Sequence, residues 1–424
     1  MRGKNITVVG AGPAGMMAAI RAAQIDCAVT LIEKNSSCGR KLLLSGKGRC
    51  NLTNTCDLDS FLKRFSGNGQ FLRDAFKKFF YQDLINFFKK RGLGLKVERQ
   101  GRVFPVTDRA DSVLEVLNKE LSNNQVNVIY NTKVKDITIE DDRIKIICDT
   151  GKIIYTDRLI LATGGASYSF TGSDGEGIRL AKKLGHRITP LRPGLVPLNA
   201  GPSYSRILEG LTLKNIRIKF IMSSTVKSVR NVRNKQIVSD IGEVLFTDFG
   251  ISGPLVLSLS GKVVDWLTNG GSVYAEIDLK PGLTEEQVNK RLLREFVLNS
   301  EMFIKNILAN LLPKSMIGVF IDTLQINPAK RGNQITASER RDIVRLLKGF
   351  RLDITGSRPI DEAMVTRGGV SLKDIDPRTM QSRLIKGLYF AGEMIDVDAD
   401  TGGFNLQAAF STGYLAGESA ALSR

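Results

Sequence analysis

Three stretches of this 424-residue chain carry residue types whose spacing could do chemistry. The first is Gly10-Ala11-Gly12-Pro13-Ala14-Gly15, set between the apolar run 6–9 and a helical pattern over 13–23. In that setting Gly10 permits a tight turn after a buried strand. Gly12 lets backbone approach a pyrophosphate, and Gly15 lets the following helix pack on the strand. The helix that starts at Pro13 and Ala14 then points its free N–H groups at the phosphates. A second apolar run, 28–32, ends in Glu33, eighteen residues past Gly15, where a carboxylate can accept hydrogen bonds from a ribose; Lys34 follows it. A lone G-x-G-x-x-G is a weak signal. Strand, turn, helix, second strand and terminal acid in register point to a dinucleotide site.

The second stretch runs from Gly39-Arg40-Lys41 to Gly46-Lys47-Gly48-Arg49-Cys50-Asn51-Leu52-Thr53-Asn54. Its glycines, basic residues and amides make a poor core segment and a good loop for wrapping phosphate and ribityl groups. The third is Ala391-Gly392-Glu393, followed by Asp396, Gly402-Gly403 and Asn405-Leu406-Gln407. An acid after a strand can hold ribityl hydroxyls. The N–H groups of the next helix can face a flavin pyrimidine, where negative charge develops on reduction. Val134 and the strand end Ala162-Thr163-Gly164 complete the cofactor-binding candidates. Two returns to one nucleotide domain, from opposite ends of the chain, call for a long cofactor, and FAD fits best. With no second G-x-G-x-x-G after a strand, a pyridine nucleotide, NAD(P)H, is expected only as a transient reductant.

The elements that must position these residues follow from periodicity. Residues 61–91 read as helical, with phenylalanines among lysines and arginines; this is a buried amphipathic stripe in preference to a base-stacking surface. Residues 126–155 alternate as a small β-meander, and 159–162 is a buried strand. The expected organisation is α/β, a Rossmann domain (1–190 and 367–424) interrupted by a barrel-like part (191–283 and 351–366) and an all-helical part (284–350). Thr284 to Gln287 and Thr336 to Glu339 read as capping boxes opening helices. Hydrophobic content is 42%, and no apolar run is long enough to span a bilayer. The chain enters its first strand within a few residues, so no signal peptide is expected. Five scattered cysteines without a C-x-x-C, and one histidine, fit a reducing cytoplasm and make a zinc or other metal site unexpected.

The sequence resembles the BaiN/RdsA-type NAD(P)/FAD-dependent flavoproteins, also labelled aminoacetone-oxidase-type. The resemblance runs from end to end. It rests on residues 46–54, on Phe246-Thr247-Asp248-Phe249-Gly250-Ile251-Ser252-Gly253-Pro254, on Val365-Thr366-Arg367-Gly368-Gly369-Val370, on Thr379-Met380-Gln381-Ser382, and on residues 391–407. One departure is Asp248, where many members have histidine. The resemblance implies an FAD domain of the glutathione-reductase type with an inserted barrel-like part and a helical part. It also implies reduction of a C=C bond, either in steroid-like acids or in a uridine of large-subunit ribosomal RNA; aminoacetone oxidation is a further label.

Charge separates these substrates. The chain carries 61 Lys and Arg against 43 Asp and Glu, a net +18. A small acid needs one or two charges in a pocket, whereas RNA binding releases counterions and favours many cations. Lys214, Arg217, Lys219, Lys227, Arg230, Arg233 and Lys235 lie within 22 residues that contain no acid, so ribosomal RNA is the expected partner. The expected reaction passes hydride from NAD(P)H through flavin N5 to uracil C6, with a proton to C5. Cys50, beside the flavin loop, is a candidate acid, or simply a small residue filling that loop. Ser252 either approaches substrate or belongs to a tight turn. His186 reads as a structural residue after a helix.

Overall fold

Runs of β-branched and aliphatic residues form short parallel strands covered on both faces, and their turns carry the glycines. The computed structural model describes residues 4–140, 143–201, 204, 206–223 and 235–423. By contact the chain forms two units, Met1–Gly194 with Ile360–Arg424, and Leu195–Pro359. The first unit begins with β1 (Asn5–Val9), α1 (Pro13–Ala23), β2 (Ala28–Ile32), β3 (Asn127–Ile129) and β4 (Arg158–Leu161). The second holds β5 (Leu198–Ala200), β6 (Thr212–Ser223), β7 (Lys235–Val238), β8 (Gly242–Thr247), β9 (Gly250–Ser252) and α2 (Pro254–Thr268). It continues with β10 (Ser272–Asp278), α3 (Glu285–Leu298), α4 (Ala337–Lys348) and β11 (Phe350–Ser357). The chain then returns to the first unit with β12 (Leu388–Phe390) and α5 (Phe404–Leu422).

In the first unit five parallel strands take the order β12-β4-β1-β2-β3. The C-terminal helix lies directly on α1. A Cβ built at Gly413 or Gly417 would stand 2.2 or 2.3 Å from the carbonyl oxygens of Ala14 and Ala18, so only glycine lets the two backbones come this close. The two ends of the chain are thereby packed into one core, with Met16, Ala19, Phe410 and Ala416 buried together.

The second unit is an antiparallel ring, β6-β8-β9-β5-β11-β10, which closes because β10 pairs back with β6; β7 adds to β6. Its inward residues, among them Phe220, Phe246, Ile251 and Phe350, share one core with Val288, Leu292 and Phe296 of α3 and Ile343 and Leu347 of α4. Both predicted capping boxes are formed, at Thr284 with Gln287 and Thr336 with Glu339. The sequence reading separated 284–350 from the barrel-like part and placed boundaries at 190 and 367. By contact the helices belong with the ring. The boundaries fall after Gly194 and before Ile360, because strand Ile188–Gly194 pairs with Val365–Val370 inside the first unit.

Residues 61–91 do not form one helix. They break into Leu58–Leu62, Arg73–Lys78 and Tyr81–Lys89, because Gly69 packs against the Leu62 carbonyl and Phe79 is extended. Phe61, Phe65, Phe76, Phe79, Phe87 and Phe88 are buried, with the Phe61 and Phe76 rings edge to face at 5.1 Å.

Candidate functional site

The turns that follow β1, β2, β4 and β12 all open at the C-terminal edge of the parallel sheet. They deliver Gly10, Glu33, Ala162 to Gly164, and Gly392 with Glu393 respectively. The chain leaves β1 toward β2 on one side and finds β4 on the other, so the crevice beyond β1 is a topological switch point. Gly10 N–H donates to Ile32 O at 2.8 Å. A Cβ on Gly12 would meet nothing within 4 Å. The first turn of α1, whose leading N–H groups have no helical acceptor, is therefore open on its Gly12 side.

Glu33 is 7% exposed and held by three donors. Its Oε2 accepts from Ala11 N–H at 2.8 Å, and its Oε1 from Asn35 N–H at 2.8 Å and Asn35 Nδ2 at 2.7 Å. Oε2 keeps a lone pair for a ligand hydroxyl. Gly10, Glu33, Lys34, Val134 and Thr163 line one cavity together with Thr132 and Leu180. Lys34 corrects the sequence reading in part. It lines the cavity, but its ammonium is 2.7 Å from Asp174 and 3.6 Å from Glu176, so it is not a free phosphate ligand.

Lys41 and Glu393, each expected to touch a ligand, touch each other. Lys41 Nζ lies 2.6 Å from Glu393 Oε2 and 2.7 Å from Ser167 Oγ. Glu393 Oε1 accepts from Thr366 N–H at 2.7 Å and from Ser167 Oγ at 3.1 Å. Thr366 Oγ1, fully buried, accepts from Ala166 N–H at 2.7 Å. The β4 turn, the β12 turn and residues 365–370 are thus tied to the 39–54 stretch. Ser167 and Thr366 were not predicted; Thr366 lay within a motif of the resemblance, but nothing in it signalled this contact.

The stretch itself is wound tightly. Gly46, Lys47, Gly48 and Cys50 all have left-handed backbone, with φ of 58°, 59°, 82° and 60°. Two of the four are not glycine, a local cost of about 1–3 kcal/mol each that marks functional loops. Gly39 is structural, donating its N–H to Ala11 O at 2.9 Å; Arg40 turns to Asn35 Oδ1 at 2.9 Å. Arg49 is a correction. Its guanidinium pairs with Glu98 and with Asp108 at 2.6 Å and lies 4.2 Å from the centre of the Phe104 ring, so it braces the loop. Cys50 is a second correction. It is fully buried, and burial pushes its thiol up to about 12, which leaves it a poor and inaccessible acid. Asn51 Oδ1 and Ser173 Oγ are buried without a hydrogen-bond partner among the described residues; Ser173 sits against Gly164.

At the start of α5, Gly403 lies so close to Thr53 that a Cβ would stand 2.4 Å from the Thr53 carbonyl oxygen. Asn54 Nδ2 reaches Gln100 O at 2.9 Å and Gly402 O at 3.3 Å. The predicted residues Thr53, Asn54, Gly402 and Gly403 are therefore together, with Leu406 half-buried one turn on. Asn405 is a correction, and Asp396 is engaged on one carboxylate oxygen. The Asn405 amide is spent on Ala399, at 2.8 and 2.9 Å, and Asp396 Oδ2 accepts from Thr189 Oγ1 at 2.8 Å.

In the second unit Ser252 is half-buried at the end of β9. Lys214 and Arg217 are exposed on the outward face of β6, and Lys235 is exposed on β7. Lys219 is half-buried and paired with Glu276 at 2.5 Å. Lys227, Arg230 and Arg233 lie outside the described residues. His186 is structural. Its ring nitrogens lie 3.1 Å from Ala181 O and 2.7 Å from Ser382 Oγ, and burial lowers its pKa. Among the described residues no helix is long and apolar enough to cross a membrane.

Residues 4–419 match the HI0933-like protein Rossmann domain. The chain belongs to the HI0933-like family. Its HI0933-like relatives include a 3-dehydro-bile acid delta(4,6)-reductase of Clostridium scindens, 32% identical over 420 residues, which cover 98% of this chain and 99% of the relative. Another is a ribosomal RNA dihydrouridine synthase of Escherichia coli, 29% identical over 409 residues, 96% of this chain and 95% of the relative. The fold is similar to that of a 3-ketosteroid delta1-dehydrogenase from Sterolibacterium denitrificans, with TM-score 0.54 and 13% identity across 100% of both chains. The HI0933-like family is one of flavin-dependent oxidoreductases, and this chain is an oxidoreductase.

Proposed function

We propose that the first unit holds FAD along the C-terminal edge of its sheet, and that the enzyme reduces a uridine of large-subunit ribosomal RNA to dihydrouridine with NAD(P)H as reductant. Three features support the cofactor. A Cβ on Gly12, at the start of α1, would meet nothing within 4 Å, Glu33 keeps a lone pair beside it, and Asn51 Oδ1 and Ser173 Oγ are buried without a hydrogen-bond partner among the described residues. In this reading the α1 N–H groups hold the pyrophosphate, Glu33 the ribose, Asn51 and the Lys41–Glu393 pair the ribityl chain, and the α5 start the pyrimidine end. Bound FAD supplies the hydride acceptor for NAD(P)H and the hydride donor, at N5, for the C=C bond. Hydride goes to uracil C6 and a proton to C5; the buried, high-pKa thiol of Cys50 is not its source.

The observation that carries the substrate is charge. A net +18, with Lys214, Arg217 and Lys235 exposed, suits a polyanion. A uridine must leave its stack to be reduced, so the target is an unpaired or flipped base. Deleting the gene and measuring dihydrouridine in ribosomal RNA by mass spectrometry tests this; loss of dihydrouridine supports it and unchanged RNA removes it. A second reading, reduction of a conjugated bond in a steroid-like acid, is favoured by the bile acid reductase at 32% identity. It predicts turnover of the free acid that does not fall when salt is raised.

A further inference from the structure

Four residues of the second unit stand in one row across its sheet. Asn199 of β5 lies opposite Gly250 of β9, and Gly250 lies opposite Thr247 of β8. On its other side Asn199 lies opposite Gly356 of β11. Directly opposed residues of antiparallel strands share a face. This is the face away from Leu198, Phe246 and Ile251, which enter the core. The row therefore reads Gly356, Asn199, Gly250, Thr247, with two polar side chains about two strand spacings, or roughly 10 Å, apart.

Asn199 Oδ1 and Thr247 Oγ1 are both shielded from water, and neither has a hydrogen-bond partner among the described residues. Among the described residues Asn199 Nδ2 makes only a long 3.4 Å contact with Ser357 O. Beside it Gly356 leaves room, since a Cβ there would meet only Asn199 Nδ2, at 3.5 Å. At the end of the row Arg358 leaves β11 and reaches the turn between β8 and β9, where its guanidinium lies 4.6 Å from the centre of the Phe249 ring. An unmade amide, an unmade hydroxyl and a nearby guanidinium thus share one end of one face. Buried polar atoms are ordinarily satisfied, so two such atoms in register point to a ligand.

An amide presents an acceptor and a donor side by side. The imide edge of uracil presents the complement, N3–H beside a carbonyl. A ring ketone offers only an acceptor and would leave Asn199 Oδ1 unmade. We infer that the Asn199–Thr247 row reads the imide edge of a uracil base in unpaired RNA. This rests on the RNA reading above, and names the residues that choose the base.

The test uses the full-length flavin-loaded protein and two unstructured oligonucleotides, one containing uridine and one N3-methyluridine at the same positions. Binding is followed by fluorescence anisotropy for the native chain, Asn199→Ala, Asn199→Asp and Thr247→Val, with flavin content and thermal unfolding as controls. The native chain binds the methylated oligonucleotide about tenfold more weakly or worse. Asn199→Ala binds both alike, Asn199→Asp keeps an acceptor for N3–H and so still prefers uridine while losing the donor to the ring carbonyl, and Thr247→Val narrows the difference. Equal binding of the two by the native chain, no binding of either, or undiminished discrimination in Asn199→Ala overturns the assignment. Dihydrouridine formation is assayed in parallel. Discrimination without dihydrouridine keeps the row and defeats the reaction; dihydrouridine without discrimination keeps the reaction and defeats the row.

Discussion

Replacing Lys41 and Glu393 singly and together probes how the two ends of the chain cooperate. Lys41→Met leaves Glu393 with Thr366 N–H at 2.7 Å and Ser167 Oγ at 3.1 Å, whereas Glu393→Gln turns an amide toward the Lys41 ammonium. The two side chains are 25% and 20% exposed, between a solvated and a buried pair. Gross attraction at an effective dielectric of 20 is about 4 kcal/mol at 4 Å, and desolvation removes much of it. Exposed pairs net about 0–1 kcal/mol, and breaking a buried pair costs about 3–5 kcal/mol. A coupling of about 1–2 kcal/mol falls between these limits, equivalent to about 5–30-fold in an equilibrium constant. The assay is FAD titration of the apoprotein for the native chain, both single variants and the double variant. Each single change weakens FAD by about tenfold, and the double does little more than the worse single. Additivity of FAD affinities within about 0.5 kcal/mol would show that the pair does not hold the cofactor. Coupling seen in thermal unfolding but absent from FAD affinity would reduce the network to scaffold.

Gly413→Ala forces a Cβ into the Ala14 carbonyl and costs about 1–3 kcal/mol, lowering the melting temperature of the first unit by about 2–4 °C per kcal/mol; an unchanged melting curve contradicts the close helix pair. Cys50→Ser keeps flavin and turnover within a factor of a few, because the native thiol is buried with a pKa of about 12. A loss of about 10²-fold with flavin intact would restore Cys50 as the acid. Burial holds the folded-state pKa of His186 below 6.5, so the unfolded chain takes up a proton first as pH falls. Stability is therefore complete above about pH 6.5 and declines below it, and His186→Gln flattens that decline in urea titrations. Affinity for ribosomal RNA fragments falls steeply with salt, and Lys214→Ala with Arg217→Ala reduces the slope of log K against log salt by about 2; an unchanged slope moves the contact elsewhere.

Features set by neighbours in sequence were legible from sequence. Helix α1 spans Pro13–Ala23, as the run from the glycine turn implied, and Thr284 and Thr336 cap their helices by reciprocal bonds three residues apart. Features set by which distant loops meet were not. Arg49 was read as a phosphate ligand because Asp108, 59 positions away, gives no local sign that it will neutralise it. Lys41 and Glu393 are 352 positions apart, and each looked like a ligand residue alone. Cys50 lay beside the flavin loop, but its complete burial depends on the packing around that loop. Asn405 looked available until the Ala399 backbone claimed both ends of its amide. One signal was present and unread. Gly413 and Gly417, four apart on α5, carry the spacing that brings helix backbones together, and they seat the last helix on the first.

The most direct measurement is the visible absorption spectrum and flavin-to-protein ratio of the purified full-length chain, recorded anaerobically before and after NADH or NADPH. One FAD per chain, bleached by a pyridine nucleotide, is the predicted result. A colourless protein that takes up no FAD on reconstitution would contradict the account at its root.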